Sequence, residues 1–88
     1  MNEAVNKVVD TAGVACTEYA DNDWDGADIP LSDGKSLRLA QEGGSEEEIE
    51  MFMFDDRMML EWRGSFSASC PVNVVSAAAR AAMEGRTE

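Results

Sequence analysis

Residues 48–63 read EIEMFMFDDRMMLEWR, and the period of this stretch decides the fold. Ile49, Met51 and Met53 alternate with Glu48, Glu50, Phe52 and Phe54, the two-residue repeat of a β-strand with one face turned inward. Beyond Asp55-Asp56 a second apolar run extends from Arg57 to Arg63. With the two aspartates as the loop, a hairpin sets Met53 against Met58, Met51 against Leu60 and Ile49 against Trp62 on one face. On the other face it sets Glu48 against Arg63, which is favourable, and Glu50 against Glu61, which is not. Asp-Asp fits a type I′ turn poorly, which leaves room for a loop longer by a residue or two. Phe52, Phe54 and Met59 fall on the face opposite Ile49 and Trp62, so that face needs its own cover, from a helix, a second copy or a partner.

Toward the N-terminus, Gly43-Gly44-Ser45 breaks the chain and a second period-two region precedes it. Ile29 and Leu31 alternate with Asp28 and Pro30, Ser32-Asp33-Gly34 has turn chemistry, and Leu37 and Leu39 alternate with Ser36 and Arg38. This predicts another hairpin, with the Pro30 strand at the sheet edge because proline cannot donate a ladder hydrogen bond. From Glu3 to Ala20, Val5, Val8, Val9, Ala12, Cys16 and Tyr19 recur at spacings of three and four, the stripe of an amphipathic helix capped by Asn2. Gly13 weakens that helix by about 1 kcal/mol relative to Ala without interrupting the stripe.

Toward the C-terminus, Gly64 to Ser69 reads as a small-residue loop. Cys70-Pro71 opens a second helix, with Ser69 or Cys70 at the cap; it buries Val72, Val75, Ala79, Ala82 and Met83 and stops at Gly85. The expected architecture is α+β in the order αββββα: a four-stranded antiparallel sheet of two hairpins, flanked by an N-terminal and a C-terminal helix packed on one face. At 88 residues and 44% hydrophobic content, residues 1–88 suit a single compact domain.

The chain contains no histidine. That removes the usual general base at neutral pH, the commonest zinc ligand and any Ser-His or Cys-His nucleophile pair. Paired carboxylates could in principle hydrolyse a glycoside, but so short a chain cannot wrap a sugar around them, so the expectation is a non-enzymatic protein without a cofactor. Cys16 and Cys70 are too few for a disulfide scaffold and read as small hydrophobes. Met1 to Asp10 has neither the basic start nor the apolar run of a secretory signal, and no apolar run approaches the roughly 20 residues of a membrane span, so a cytoplasmic location is expected.

Eighteen acidic residues against seven basic ones give a formal net charge of −11, and the acidity is local. The stretch from Glu18 to Asp33 holds Asp21, Asp23, Asp25 and Asp28 between its ends, and the stretch from Glu42 to Asp56 holds Glu46, Glu47, Glu48, Glu50 and Asp55. Neither contains Lys or Arg. A solubilising surface is the plain reading of such runs. Segregation of acids from bases favours a surface that seeks a cationic partner, with Asp21, Asp23, Asp25, Asp28, Asp33, Glu46, Glu47, Glu48, Glu50, Asp55 and Asp56 as the partner-binding residues. Carboxylates on alternate strand positions stand about 6.6–6.8 Å apart, close to twice the roughly 3.4 Å step of one DNA strand, so they can stand in for successive phosphates. The partner expected is a basic nucleic-acid-binding protein, with no direct binding to nucleic acid, no membrane, and a monomer or homodimer as the working unit.

Asp21-Asn22-Asp23-Trp24-Asp25-Gly26 also matches the opening D-x-D-x-D-G of a calcium loop. Its second half departs: Ser32 stands where the bidentate Glu belongs, and Ile29-Pro30 cannot start the exiting helix. No dedicated metal site is expected, and Asp21, Asp23 and Asp25 remain weak calcium candidates.

Trp24-Asp25-Gly26 after the first helix, followed by Ser32-Asp33-Gly34-Lys35-Ser36-Leu37-Arg38-Leu39, resembles the corresponding parts of the small acidic anti-CRISPR proteins of phages, in particular the type I-F inhibitor that mimics DNA. The resemblance covers about a quarter of the chain. It implies an inhibitor that sits on a crRNA-guided surveillance complex in the cytoplasm of an infected host cell and blocks its DNA-binding surface. The Met-rich second hairpin and a C-terminal helix with few acids depart from that inhibitor's pattern.

Overall fold

The structure, a computed structural model, describes residues 3–21, 23–42, 48–67 and 69–84. Its elements are α1 (Glu3–Ala12), β1 (Thr17–Asp21), β2 (Trp24–Pro30), β3 (Ser36–Glu42), β4 (Glu48–Phe54), β5 (Leu60–Ser67) and α2 (Val72–Met83). The strands form one antiparallel sheet in the order β1-β2-β3-β4-β5. The α+β order with a helix at each end is the expected one, but the sheet has five strands rather than four.

The additional strand comes from a helix that is shorter than expected. Gly13 ends α1 instead of lying within it, at φ +69°, with its amide donating to Asp10 and Val9 carbonyls at 3.1 and 2.9 Å and the Val14 amide reaching back to Val9 at 3.5 Å. That is the glycine-closed helix end in which orphan carbonyls are satisfied by a left-handed residue. Cys16 and Tyr19 therefore leave the helical stripe, and Thr17–Asp21 pairs with β2 as an edge strand. The expected cap Asn2 lies outside the described residues, as do the break at 43–45 and the stop at Gly85.

The hairpin of β2 and β3 forms as predicted and pairs Ile29 with Leu37 and Ala27 with Leu39. Its first strand lies inside the sheet, not at the edge. Pro30 is tolerated because β1 reaches only as far as Asp28, so at Pro30 the strand has a neighbour, Ser36, on one side only.

The hairpin of β4 and β5 has a register different from the expected one. Met53 faces Trp62, Met51 faces Gly64, Ile49 faces Phe66, Glu50 faces Ser65 and Glu48 faces Ser67, with an irregularity between Met53 and Phe54. Asp55 is the cause: its carboxylate accepts the amides of Arg57 and Met59 at 2.9 and 2.8 Å, and its own amide donates to the Met59 carbonyl at 2.9 Å. These bonds hold Asp55 to Met59 in a loop, with Met58 at φ 63°, and carry the strand into the segment expected to be a small-residue loop.

Both helices pack on one face. Val5, Val8 and Val9 of α1 and Val75 and Ala79 of α2 bury Ala27, Ile29, Leu37, Leu39, Met51 and Met53, with Cys16 and Cys70 packed at the margin. Each large aliphatic side chain buried this way contributes about 1.5–3 kcal/mol. Pro71 occupies the cap position of α2 without a side-chain cap, in place of Ser69 or Cys70. Val72 is 36% exposed, whereas Ser76, absent from the expected stripe, is buried with its hydroxyl 3.1 Å from the Val8 carbonyl and 2.8 Å from that of Val72. No helix among the described residues is long and apolar enough to cross a membrane.

Candidate functional site

With both helices on one side, the other face of the sheet carries no helix among the described residues, and its composition follows from strand register. Successive rows across it read Asp21-Trp24-Glu42, then Tyr19-Gly26-Ala40-Glu50-Ser65, then Thr17-Asp28-Arg38-Phe52-Arg63. In the middle row Gly26 and Ala40 are the smallest residues, and Ala40 forms the floor of a cleft of about 350 Å³ walled by Tyr19, Asp21, Trp24, Arg38, Phe52, Phe54 and Arg63. That is near the small end of the roughly 300–1,000 Å³ usual for ligand pockets. Gly26 itself has no substitute, because a Cβ would collide with the Leu39 carbonyl oxygen of the next strand.

A guanidinium lies within the cleft wall. Arg38 grips Asp28 through two bonds, Nε to Oδ1 at 2.7 Å and Nη2 to Oδ2 at 3.2 Å. Its guanidinium carbon sits 3.8 Å from the Tyr19 ring centre and 4.8 Å from that of Phe54. Asp28 and Arg38 are a cross-strand pair, which is why the fork meets the carboxylate edge-on. A second, looser unit lies beside it: Arg63 stands 5.8 Å from the Phe52 ring centre, with Nη2 3.4 Å from Glu50 Oε1. That separation makes an ion pair, but the approach is not aligned for a hydrogen bond and Glu50 Oε1 is buried without one; the other oxygen accepts from Ser65 at 3.1 Å. Trp24 meets Phe52 edge to face at 5.7 Å, and Phe52 stacks on Phe54 at 6.2 Å. Each aromatic pair of this kind adds about 0.5–1.5 kcal/mol beyond its area burial.

Removal from water pushes the Tyr19 hydroxyl above its ordinary pKa of 10.0; Arg38 opposes that rise and Asp21, which accepts the hydroxyl at 3.3 Å, adds to it. The Arg38 guanidinium is held still more firmly charged by its bonds to Asp28.

The expected partner-binding acids divide into three groups. Asp21, Asp23, Asp25 and Glu48 lie at one end of the sheet, where Glu42, which was not among the expected site residues, joins them opposite Trp24. Asp33, Asp55 and Asp56 lie in the turns at the other end, roughly 20 Å away along a seven-residue strand. There Lys35 and Arg57 share the turns, and Asp33 and Asp55 accept backbone amides. Asp28 and Glu50 are directed inward, to Arg38 and Arg63. The strand ladder expected to imitate phosphates thus keeps Glu48 exposed while Glu50 turns to Arg63 and Ser65 on β5. Glu46 and Glu47 lie outside the described residues.

Of the weak calcium candidates, Asp21 pairs with Trp24 on one face of the sheet, and Asp25, one residue beyond Trp24, points to the opposite face. Among the described residues no three His, Cys, Asp or Glu side chains gather where they could hold a metal ion.

The cleft was missed in the sequence although its signal is there. Phe52 and Phe54 alternate with buried methionines, and Arg38 alternates with Leu37 and Leu39, so all three face away from the core. No family model, curated protein or solved structure matches the chain.

Proposed function

We propose that this protein is a non-enzymatic inhibitor that presents the acidic end of its sheet to the Lys/Arg groove of a nucleic-acid-binding protein. The observation that carries this reading is the convergence of the two base-free stretches: Trp24 pairs with Glu42, which brings Asp21, Asp23 and Asp25 alongside Glu42 and Glu48. Lys35 and Arg57 accompany the acids at the opposite end, so part of the negative charge there is offset within the chain. The resemblance of residues 24–26 and 32–39 to phage anti-CRISPR proteins narrows the partner to a crRNA-guided surveillance complex.

The test compares two variants that each lose three charges. Asp23→Asn with Glu42→Gln and Glu48→Gln removes exposed acids from the sheet end, whereas Glu3→Gln with Asp10→Asn and Glu84→Gln removes exposed acids from the helices. In a DNA-binding assay on the surveillance complex, the first variant should lose competition and the second should keep it. Equal competition by both would reduce the acidity to a solubility device.

A second reading is supported by the tip of the β4–β5 hairpin, where Met58 is 57% exposed, Met59 64% and Leu60 49%. An adaptor that dimerises there would sediment at twice the monomer mass and revert with Met59→Glu.

A further inference from the structure

Two polar side chains are buried among the described residues, Gln41 and Ser76, each 3% exposed. The Ser76 hydroxyl lies against carbonyls of both helices, those of Val8 and Val72. The Gln41 amide, among the described residues, has no such partner. Gln41 follows Leu37 and Leu39 along the core face of β3, a position where a leucine would be buried without the cost of an unbonded amide. It lines a second cavity, of about 390 Å³, on the side of the sheet away from the aromatic cleft. This cavity lies where the first turns of α1 and α2 meet the ends of β3, β4 and β5. Val8, Ile49, Val72 and Val75 supply apolar walls, and Lys7 and Glu3 form an ion pair at its rim, 3.5 Å apart. An apolar enclosure with a placed, buried polar group is the usual make-up of a small-molecule site.

We infer that this cavity binds a neutral small molecule with a carboxamide or lactam at one end and an apolar body at the other. The ligand's amide pairs with that of Gln41, donor to acceptor in both directions, and its body packs against the valines and Ile49. A glutamine side chain offers an acceptor oxygen and an NH2 donor side by side, and the group that answers both at once is another amide. Ionic heads fit less well. A carboxylate would enter a chain of net charge −11, where Lys7 at the rim is already paired to Glu3. An ammonium would satisfy the Gln41 oxygen and leave its NH2 donor unbonded. The inference goes beyond the acidic-end reading and rests on different residues.

The experiment titrates the full chain at neutral pH with cyclohexanecarboxamide and with its charged matches, cyclohexanecarboxylate and cyclohexylmethylammonium. Binding is read by proton–nitrogen NMR at the Gln41 side-chain amide, whose signals are identified by their loss in Gln41→Leu. The carboxamide should shift those signals and bind about tenfold tighter than either ion, the worth of one or two hydrogen bonds. Gln41→Leu should lose that preference and, because the amide it removes satisfies no bond, should melt no lower than the wild type. Val72→Trp, at the exposed edge of the cavity, should block it and abolish carboxamide binding while Gln41 stays in place. An ion that binds as tightly as the carboxamide, or shifts that bypass Gln41, would overturn the assignment. So would the absence of carboxamide binding at millimolar concentration. A Gln41→Leu variant that melts clearly below the wild type, or does not fold, would overturn it too, because the amide would then already have a partner within the protein.

Discussion

Trp24 stands directly opposite Glu42 across the ladder between β2 and β3. This one pairing joins two acidic stretches that the chain keeps apart, and it sets an aromatic ring between carboxylates on both neighbouring strands. The same register sends Asp28 to Arg38, so acids that look equivalent in the sequence have different uses.

Arg38 is the residue whose loss should cost the helix-free face most. Its side chain is 18% exposed and that of Asp28 29%, so Arg38→Met leaves a poorly hydrated carboxylate and removes two charged hydrogen bonds. Urea unfolding should show a loss of about 1.5–3 kcal/mol. Adding Asp28→Asn should recover part of it, giving a double-mutant coupling that is absent if the pair is a bystander.

Asp55 and Asp56 are neighbours with opposite expectations. Asp55→Ala removes the acceptor for two loop amides and should cost about 1–2 kcal/mol. Asp56 is exposed, and Asp56→Ala should change stability by less than about 0.5 kcal/mol. Equal effects in thermal melts would contradict the loop geometry.

Two glycines should respond to alanine for different reasons. At Gly13 a Cβ meets nothing within 4 Å, so the penalty of Gly13→Ala is that of the left-handed backbone alone, about 1–2 kcal/mol. At Gly26 the Cβ collides with the backbone of β3, so Gly26→Ala should fail to give the native circular dichroism spectrum unless the β2–β3 ladder is rebuilt.

Tyr19 is the single tyrosine of the chain, so its phenolate absorbance reports the cleft directly. Desolvation places its folded-state pKa above 10.0, with Arg38 working against the rise and Asp21 for it. The folded chain then holds this proton more tightly than the unfolded one, so the associated stability is complete below about pH 10 and is lost as pH climbs through the folded value. The titration midpoint should lie above that of free tyrosine and fall in Asp21→Asn. A wild-type midpoint at the ordinary value would mean that the ring is solvated.

Salt separates the functional reading from a purely apolar one. Affinity for the basic partner should fall steeply as ionic strength rises to 0.15 M, where the Debye length is about 8 Å. A flat profile would move the interface to the Met58-Met59-Leu60 tip.

The sequence by itself determines the helices at both ends, the hairpin around Ser32-Asp33-Gly34 and the inward set Ile29, Leu37, Leu39, Met51 and Met53, because hydrophobic period and turn chemistry are local properties. Gly13 shows where local reading stops: the same residue can be a tolerated interruption or a left-handed terminus, and the choice depended on whether Thr17–Asp21 found a strand to pair with. The β4–β5 register likewise depended on a carboxylate folding back onto its own loop, which shifted every pairing that the alternation left open. The cleft and the acidic end are wholly tertiary. They exist because four strand registers place Trp24 beside Glu42, Asp28 beside Arg38 and two small residues between them, and pairing energy across strands, not the composition of any one strand, selects those neighbours.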